Sequence, residues 1–489
     1  MEPELPHTEP HTESHTGPDP RRWQALAIVC VAMFMTVLDV SIVNVALPSI
    51  QTSLHVKEST LQWVIVAYTI TFGGFLLLGG RTADLLGRRR MFMVGMAVFA
   101  AASLVCGLAG SIAVLIVART IQGVGAAIVS PATLSIITTT FEEGSERNKA
   151  VGIWGAMGGS GAAAGVLFGG LLTKYAGWEW IFFVNVPVGA AVLLLTRPIV
   201  RESRIPGLRG FDAGGAVTIT SSLALLVYAI SKAPDVGWAT GRTIGLLVGV
   251  AVLFVAFVVI ERRHSSPMVP FSIFRVTTVT GANVCGFLLG AVVFSNFFLL
   301  TLYVQQVLHY SALRTGLTFL ATAGTVIPVA GLSQALVTKL GPRPVMTIGL
   351  ALITGGMLYY TQIPTHGSFG TALLPGYLMV GVGMAFSFIP MSIAALAGVS
   401  HGEAGLASGL INTSQQIGGA LGVAIAATVA FTHTATLLGS GHAPAAAATS
   451  GFALGFWVLA AVGAVSVAAC IALVRGRELA VDAEAVRAL

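Results

Sequence analysis

The stretch Gly80 to Arg90, GRTADLLGRRR, separates two long apolar runs that carry almost no charge. Within it stand Arg81, Asp84, Arg88, Arg89 and Arg90, with glycines at 80 and 87. Charge at this density cannot lie in hydrocarbon, where an Arg or Asp near a helix centre costs about 2.5 to 3.5 kcal/mol on an insertion scale. The expectation is a tight loop at a membrane surface, and four arginines assign that surface to the cytoplasmic side. Charge bias accounts for the arginines but not for Asp84, which stands four residues before Arg88.

The composition agrees with a chain that lives in a bilayer. Of 489 residues, 55% are hydrophobic and 9% charged, against about 25% charged in a soluble domain. The formal charge of +6 is no argument for a nucleic-acid partner, because where the charges lie matters more than their sum. Cys30, Cys106, Cys285 and Cys470 all fall in apolar segments without a CxxC pair. They read as small buried hydrophobes rather than disulfides or metal ligands. The first residues are polar and proline-bearing, with His7, His11 and His15 each before a Thr. This tail reads as disordered and lacks the further ligands a metal site needs.

Segments long enough to cross a core of about 30 Å lie at 24–48, 60–80, 91–109, 112–137, 148–172, 179–196, 213–232, 243–261, 279–304, 312–336, 344–363, 370–396, 406–431 and 451–474. Each is expected to be an α-helix, because backbone groups in lipid must be satisfied within their own segment. Fourteen crossings put both termini on one side. Twenty of the 26 Lys and Arg residues fall in the termini and loops of that side. Lys57, Lys174, Lys232, Arg242 and Arg314 fall opposite, and Arg119 lies within a span. The asymmetry makes the termini cytoplasmic. The expected fold is an all-α polytopic membrane protein, two six-helix bundles plus two inserted helices. Its parts are a tail at 1–23, a bundle at 24–196, an inserted pair with flanking loops at 197–278, a second bundle at 279–474 and a tail at 475–489.

A diverged internal repeat supports that division. Gly123-Val124-Gly125 in span 4, with Pro131 following, is matched by Gly381-Val382-Gly383 in span 12, with Pro390 following. Spans 5 and 13 are both glycine-rich, and Thr338 to Arg343 echoes the 80–90 stretch without its acid. Parallel six-helix halves are an architecture of secondary transporters, with the substrate near the midplane between them.

Asp39 is the only acid deep within any span, and Arg119 reaches a similar depth from the opposite end of span 4. Ionisable residues inside a membrane are functional candidates and are usually paired. Asp39 and Arg119 are therefore expected to be partners, as a proton-coupling pair or as a purely structural one. Burial disfavours a carboxylate's charged form and a nearby guanidinium favours it. A movement that changes their separation would change proton affinity, which is what a proton-coupled carrier requires.

The spacing of Gly80, Asp84, Gly87, Arg88 and Arg89 resembles the loop between spans 2 and 3 of the major facilitator superfamily. Leu38 to Ile50 (LDVSIVNVALPSI), RTIQGVGAA at 119–127, WEWIFFVNVP at 178–187, YVQQVLHYSALRTGL at 303–317 and GLASGLINTSQQIGGALG at 405–422 resemble its fourteen-span drug:proton antiporter branch (EmrB/QacA-like). The resemblance implies efflux of amphiphilic drugs or antibiotics across a bacterial cell membrane, driven by protons and without a cofactor. It also implies that Asp84 gates the transporter by facing a helix N-terminus of the other half, here near Glu403-Ala404-Gly405. An importer of a small metabolite on the same fold is the alternative.

Span 5 departs from the family pattern. Gly165 is followed by Val166 where a proline is typical, leaving Gly161, Gly165, Gly169 and Gly170 as the antiporter-type stretch or as a packing face. Glu179 stands where a basic residue is expected. Substrate-cavity candidates are Asn44, Asn283, Gln305 and the Ser408, Asn412, Gln416 stripe at i, i+4, i+8, which interhelical hydrogen bonding would explain equally. No HExxH, GxSxG or P-loop occurs, so neither an enzyme nor an ATP-driven pump is expected. Trp178, Trp180 and Trp238 are expected in an interfacial belt.

Overall fold

The computed structural model describes residues 20–142, 145–204, 212–264, 267–396 and 404–474. The histidine-bearing tail, the 475–489 tail and Glu403 lie outside them. Among the described residues a long helix occupies each of the fourteen apolar stretches, and no strand occurs. The first half holds α1 (Arg22–Leu54), α2 (Trp63–Leu86), α3 (Arg88–Gly107), α4 (Ile112–Thr140), α5 (Ser145–Tyr175) and α6 (Asn185–Ile199), the last preceded by one turn at Trp180–Phe183. Then come α7 (Ala213–Val236) and α8 (Gly241–Arg263). The second half holds α9 (Thr277–Leu302), α10 (Ala312–Leu340), α11 (Pro342–Tyr360), α12 (Leu374–Leu396), α13 (Ala404–Gly439) and α14 (Pro444–Leu473).

Twelve of these helical segments are long and apolar enough to cross a membrane. The other two are α5, which opens on the charged run Glu146-Arg147-Asn148-Lys149 and is rich in glycine, and α11, which opens on Pro342-Arg343-Pro344.

The 80–90 stretch is not a loop. Helix α2 continues through Gly80, Arg81 and Asp84 to Leu86, and α3 begins at Arg88. The reversal is made by Gly87 alone, at φ 111°, ψ 127°. That region of backbone space is open to glycine and strained for other residues. Its neighbours do the rest: Glu202 accepts from the backbone N–H groups of Arg89 at 3.0 Å and Arg90 at 3.1 Å, capping α3 from a distant segment. An anion there satisfies the orphan donors of a helix start.

The two halves repeat one packing plan. In the first, α1 packs on α5 while α4 packs on both α2 and α3; in the second, α9 packs on α13 while α12 packs on both α10 and α11. The matched glycines explain the correspondence. Gly123 presses on Thr71 and Tyr68 of α2, and Gly381 presses on Thr325 and Thr322 of α10. Gly125 abuts Gly95 and Phe99 of α3, and Gly383 abuts Gly349 and Ile353 of α11. A side chain at any of these sites would meet backbone.

The halves meet through α2 against α13 and α5 against α10, and α7 lies across α2 and α13 with α8 outside it. Helix α8 is the least buried of the set, its Leu247, Val248, Val252, Phe254 and Val255 all facing outward. One aromatic expectation fails. Trp178 is 5% exposed within the main core, whereas Trp180 and Trp238 are exposed; the turn Trp180–Phe183 rotates Trp178 inward beside Phe182.

A buried ion pair as candidate functional site

Asp39 and Arg119 meet. Arg119 Nη1 lies 2.5 Å from Asp39 Oδ2, with side chains 1% and 0% exposed respectively. Three elements of the first half converge on this point. Helix α4 supplies Arg119 and, one turn on, Gln122, whose Oε1 accepts from Arg119 Nη1 at 2.7 Å and whose Nε2 donates to Asp39 Oδ1 at 2.9 Å. Asn185, the first residue of α6, donates from Nδ2 to the same Oδ1 at 3.0 Å and to Ser103 Oγ of α3 at 3.1 Å. The carboxylate thus accepts three hydrogen bonds, which is how a buried charge becomes tolerable.

Arg119 has further partners that do not involve Asp39. Its Nε donates to Val64 O of α2 at 3.1 Å. Its guanidinium lies 4.1 Å above the Tyr68 ring, a cation–π placement of substance in a desolvated site. The Tyr68 hydroxyl is buried without a hydrogen-bond partner. Gln122, Asn185, Ser103 and Tyr68 escaped the sequence reading. Only their polarity inside RTIQGVGAA, WEWIFFVNVP and apolar runs marked them.

The glycines of α5 hold α1 in place around this site. A Cβ on Gly161, Gly165 or Gly169 would stand 2.9, 2.7 or 2.8 Å from the carbonyl oxygens of Phe34, Leu38 and Ile42, which flank Asp39. Gly170 turns the other way, toward Ala312 and Leu313 of α10.

Helices α5 and α10 make close contact at the end far from Gly87. Gly316 of α10 sits against the Val166 carbonyl, yet Gly152 and Gly155, on the same face of α5 several turns away, have nothing near them, nor have Gly324 and Gly331 of α10. At the closed end, Gln305 Nε2 donates to Val45 O of α1 at 2.9 Å, and Gln306 Nε2 to Gln51 Oε1 at 3.1 Å. The halves are therefore sealed by α1 contacts at the end far from Gly87, while toward the Gly87 end the glycine faces of α5 and α10 have no neighbour.

The six cavity candidates are not brought together. Gln305 belongs to the seal just described, presented by a π-helical turn at Tyr303–Val307. Asn283 is buried and accepts from Ser414 Oγ at 2.8 Å, tying α9 to α13. Gln416 is buried against Gly73 of α2. Asn412 is exposed and half-buried Ser408 lies one turn away, joined by Asn412 Nδ2 to Ser408 O at 2.9 Å. Asn44 leaves its Oδ1 buried without a partner. Asp84, expected to face the other half, pairs instead within its own: Arg88 Nη2 at 2.9 Å and Ser135 Oγ of α4 at 3.3 Å. Among the described residues Asp84 has no partner in the other half; the expected one, near Glu403, lies at the edge of residues outside them.

Two pseudo-repeated helical bundles, a seal at one end and a buried charge pair define a membrane carrier. The chain belongs to the Major Facilitator Superfamily, whose model matches residues 29–423, and it is a multi-pass membrane transporter rather than an enzyme. It is 39% identical to the puromycin resistance protein pur8 of Streptomyces alboniger over 94% of this chain and 92% of that one. It is 37% identical to the cephamycin export protein CmcT of Amycolatopsis lactamdurans over 83% and 84%. Its fold is shared with a bacterial homolog of the human lysosomal transporter Spinster, with TM-score 0.64, 16% identity, and 93% of this chain and 97% of that one covered.

Proposed function

We propose that this protein exports amphiphilic drugs or antibiotics across a bacterial plasma membrane in exchange for protons. In this reading it is a fourteen-crossing antiporter of the EmrB/QacA-like branch with both termini in the cytoplasm. The relatives named for puromycin resistance and cephamycin export support the substrate class. The arginine asymmetry supports the orientation, with the Gly87 end facing the cytoplasm.

The observation that carries the mechanism is the Asp39–Arg119 pair. While Asp39 is charged, it ties α1 to α4 and α6. A proton on Asp39 removes that charge, yet the guanidinium keeps Val64 O, Gln122 and the Tyr68 ring. Arg119 therefore stays seated while α1 is released. Helix α1 also carries Val45 and Gln51, the acceptors of the Gln305 and Gln306 seal. Proton binding would thus bear on the far gate through one continuous helix, giving the unequal affinity of two states that coupling demands. Among the described residues, α9 to α14 carry no Asp or Glu, so neutral substrates fit as well as cations.

The test is transport in proteoliposomes with an imposed pH gradient and a panel beginning with puromycin and a cephamycin. The wild type should concentrate at least one substrate against its gradient while protons move oppositely. Asp39→Asn, inserted at normal level, should lose the concentrating step. Undiminished concentrative export by Asp39→Asn would remove Asp39 from the mechanism.

A further inference from the structure

With Asp39 taken as the proton site, the neutral groups around it acquire distinct roles. The charged or titratable side chains facing it among the described residues are Arg119 of α4, Tyr68 of α2 and Cys106 of α3; α5 contributes only small residues at Gly161 and Gly165. The two amides differ in what fixes their direction. Gln122 is aimed by Arg119, since its Oε1 accepts from the guanidinium. Cys106 Sγ donates to the same Oε1 at 3.7 Å, so the direction of Gln122 is set by the guanidinium and a thiol.

Asn185 is aimed by something independent. Ser103 Oγ donates its only hydrogen to Phe182 O at 2.9 Å. Toward Asn185, 3.1 Å away, it can therefore offer only lone pairs. The amide must present Nδ2 there, and its second hydrogen then falls on Asp39 Oδ1. Flipping the amide would set Oδ1 against two oxygens with no hydrogen between them. The chain from the Phe182 carbonyl through Ser103 and Asn185 to Asp39 runs in one direction, whatever Arg119 does. Every side chain that hydrogen-bonds Asp39 here is a donor, and hydrogen bonds to the charged form of a carboxylate favour that form.

We propose that Asn185 is a positioning residue of the coupling site: held as a fixed donor by Ser103, it favours the charged over the protonated form of Asp39 and so bears on proton uptake by the transporter. It also joins α6 to α1, a contact that is charge-assisted only while Asp39 is charged.

The experiment is an infrared pH titration of the purified full-length protein in lipid, following the carbonyl band of a protonated carboxyl that Asp39→Asn lacks. No transported substrate is needed. Asn185→Leu, which deletes the donor, should raise the midpoint of this band by about one pH unit, a tenfold gain in proton affinity. Ser103→Ala keeps Asn185 but frees its amide to turn, and should move the midpoint the same way by less; it serves if Asn185→Leu fails to fold. A residue that merely packs would lower thermal stability and leave the midpoint in place. An Asp39 band that titrates in the wild type but is unmoved in the folded variants overturns the role of Asn185 alone. Absence of any Asp39-dependent band between pH 4 and 9 overturns the proton-site reading and this inference with it.

Discussion

Asp39 and Arg119 present a charge pair removed from water and from lipid, and the energetics of such pairs are asymmetric. Removing one partner leaves a buried charge uncompensated and costs about 3–5 kcal/mol, whereas replacing both by neutral groups is often tolerated. Arg119→Leu should therefore lower the apparent Tm of the detergent-purified protein sharply. The double variant Asp39→Asn/Arg119→Leu should recover most of the loss, because a neutral amide in place of Asp39 still meets Gln122 and Asn185. Additive destabilisation of the two single changes would contradict the coupling read from the 2.5 Å contact.

At the scale of elements, two features are decided by backbone approach. The first is α5 on α1. Gly165→Val would drive a branched side chain into the Leu38 carbonyl and Ser41, parting the helices that enclose Asp39. Its folded yield and Tm should fall well below those of Gly155→Ala, which meets empty space and gains helix propensity of about 0.5–1 kcal/mol. Equal stability of the two variants would refute this account of the glycine face. The second feature is the α2–α3 turn. Asp84 holds Arg88 and Ser135. On the proposed reading, closing the Gly87 end would bring Asp84 to the positive start of α13, worth about 0.3–1 kcal/mol to an exposed carboxylate and up to about 2 when partly buried. Asp84→Ala should therefore bias the protein toward the state open at the Gly87 end and slow export. Site-directed cysteine labelling from each side reads that bias, and an unchanged labelling ratio with normal export would reduce Asp84 to a surface charge.

For the whole molecule, alternating access requires the Gln305 and Gln306 seal to open. The four native cysteines are all buried, so replacing them gives a clean background for Gln51→Cys/Gln306→Cys. Joining these positions with a short bifunctional thiol reagent should arrest export, and cleaving the link should restore it. Export continuing through a quantitatively linked population would show that the far end is not a gate.

Apolar length and the cost of buried charge were enough to locate the helices and to single out Asp39 and Arg119. Those are one-dimensional properties: hydrocarbon thickness sets segment length, and the cost of a buried charge makes one stand out. Helix ends were less legible. Nothing in GRTADLLGRRR says that α2 runs on to Leu86 and that Gly87 turns alone, because that follows from Glu202, more than a hundred residues away, capping α3. The environment of Asp39 was equally hidden. Gln122, Asn185 and Ser103 are ordinary polar residues in apolar runs until α3, α4 and α6 are packed around α1. Which cavity candidates remain free was likewise decided by packing: Gln305 and Asn283 are spent on contacts between helices, while Asn412 is left exposed. Hydrogen-bond direction at Asn185 is fixed by a serine and a carbonyl that only the tertiary structure brings within reach.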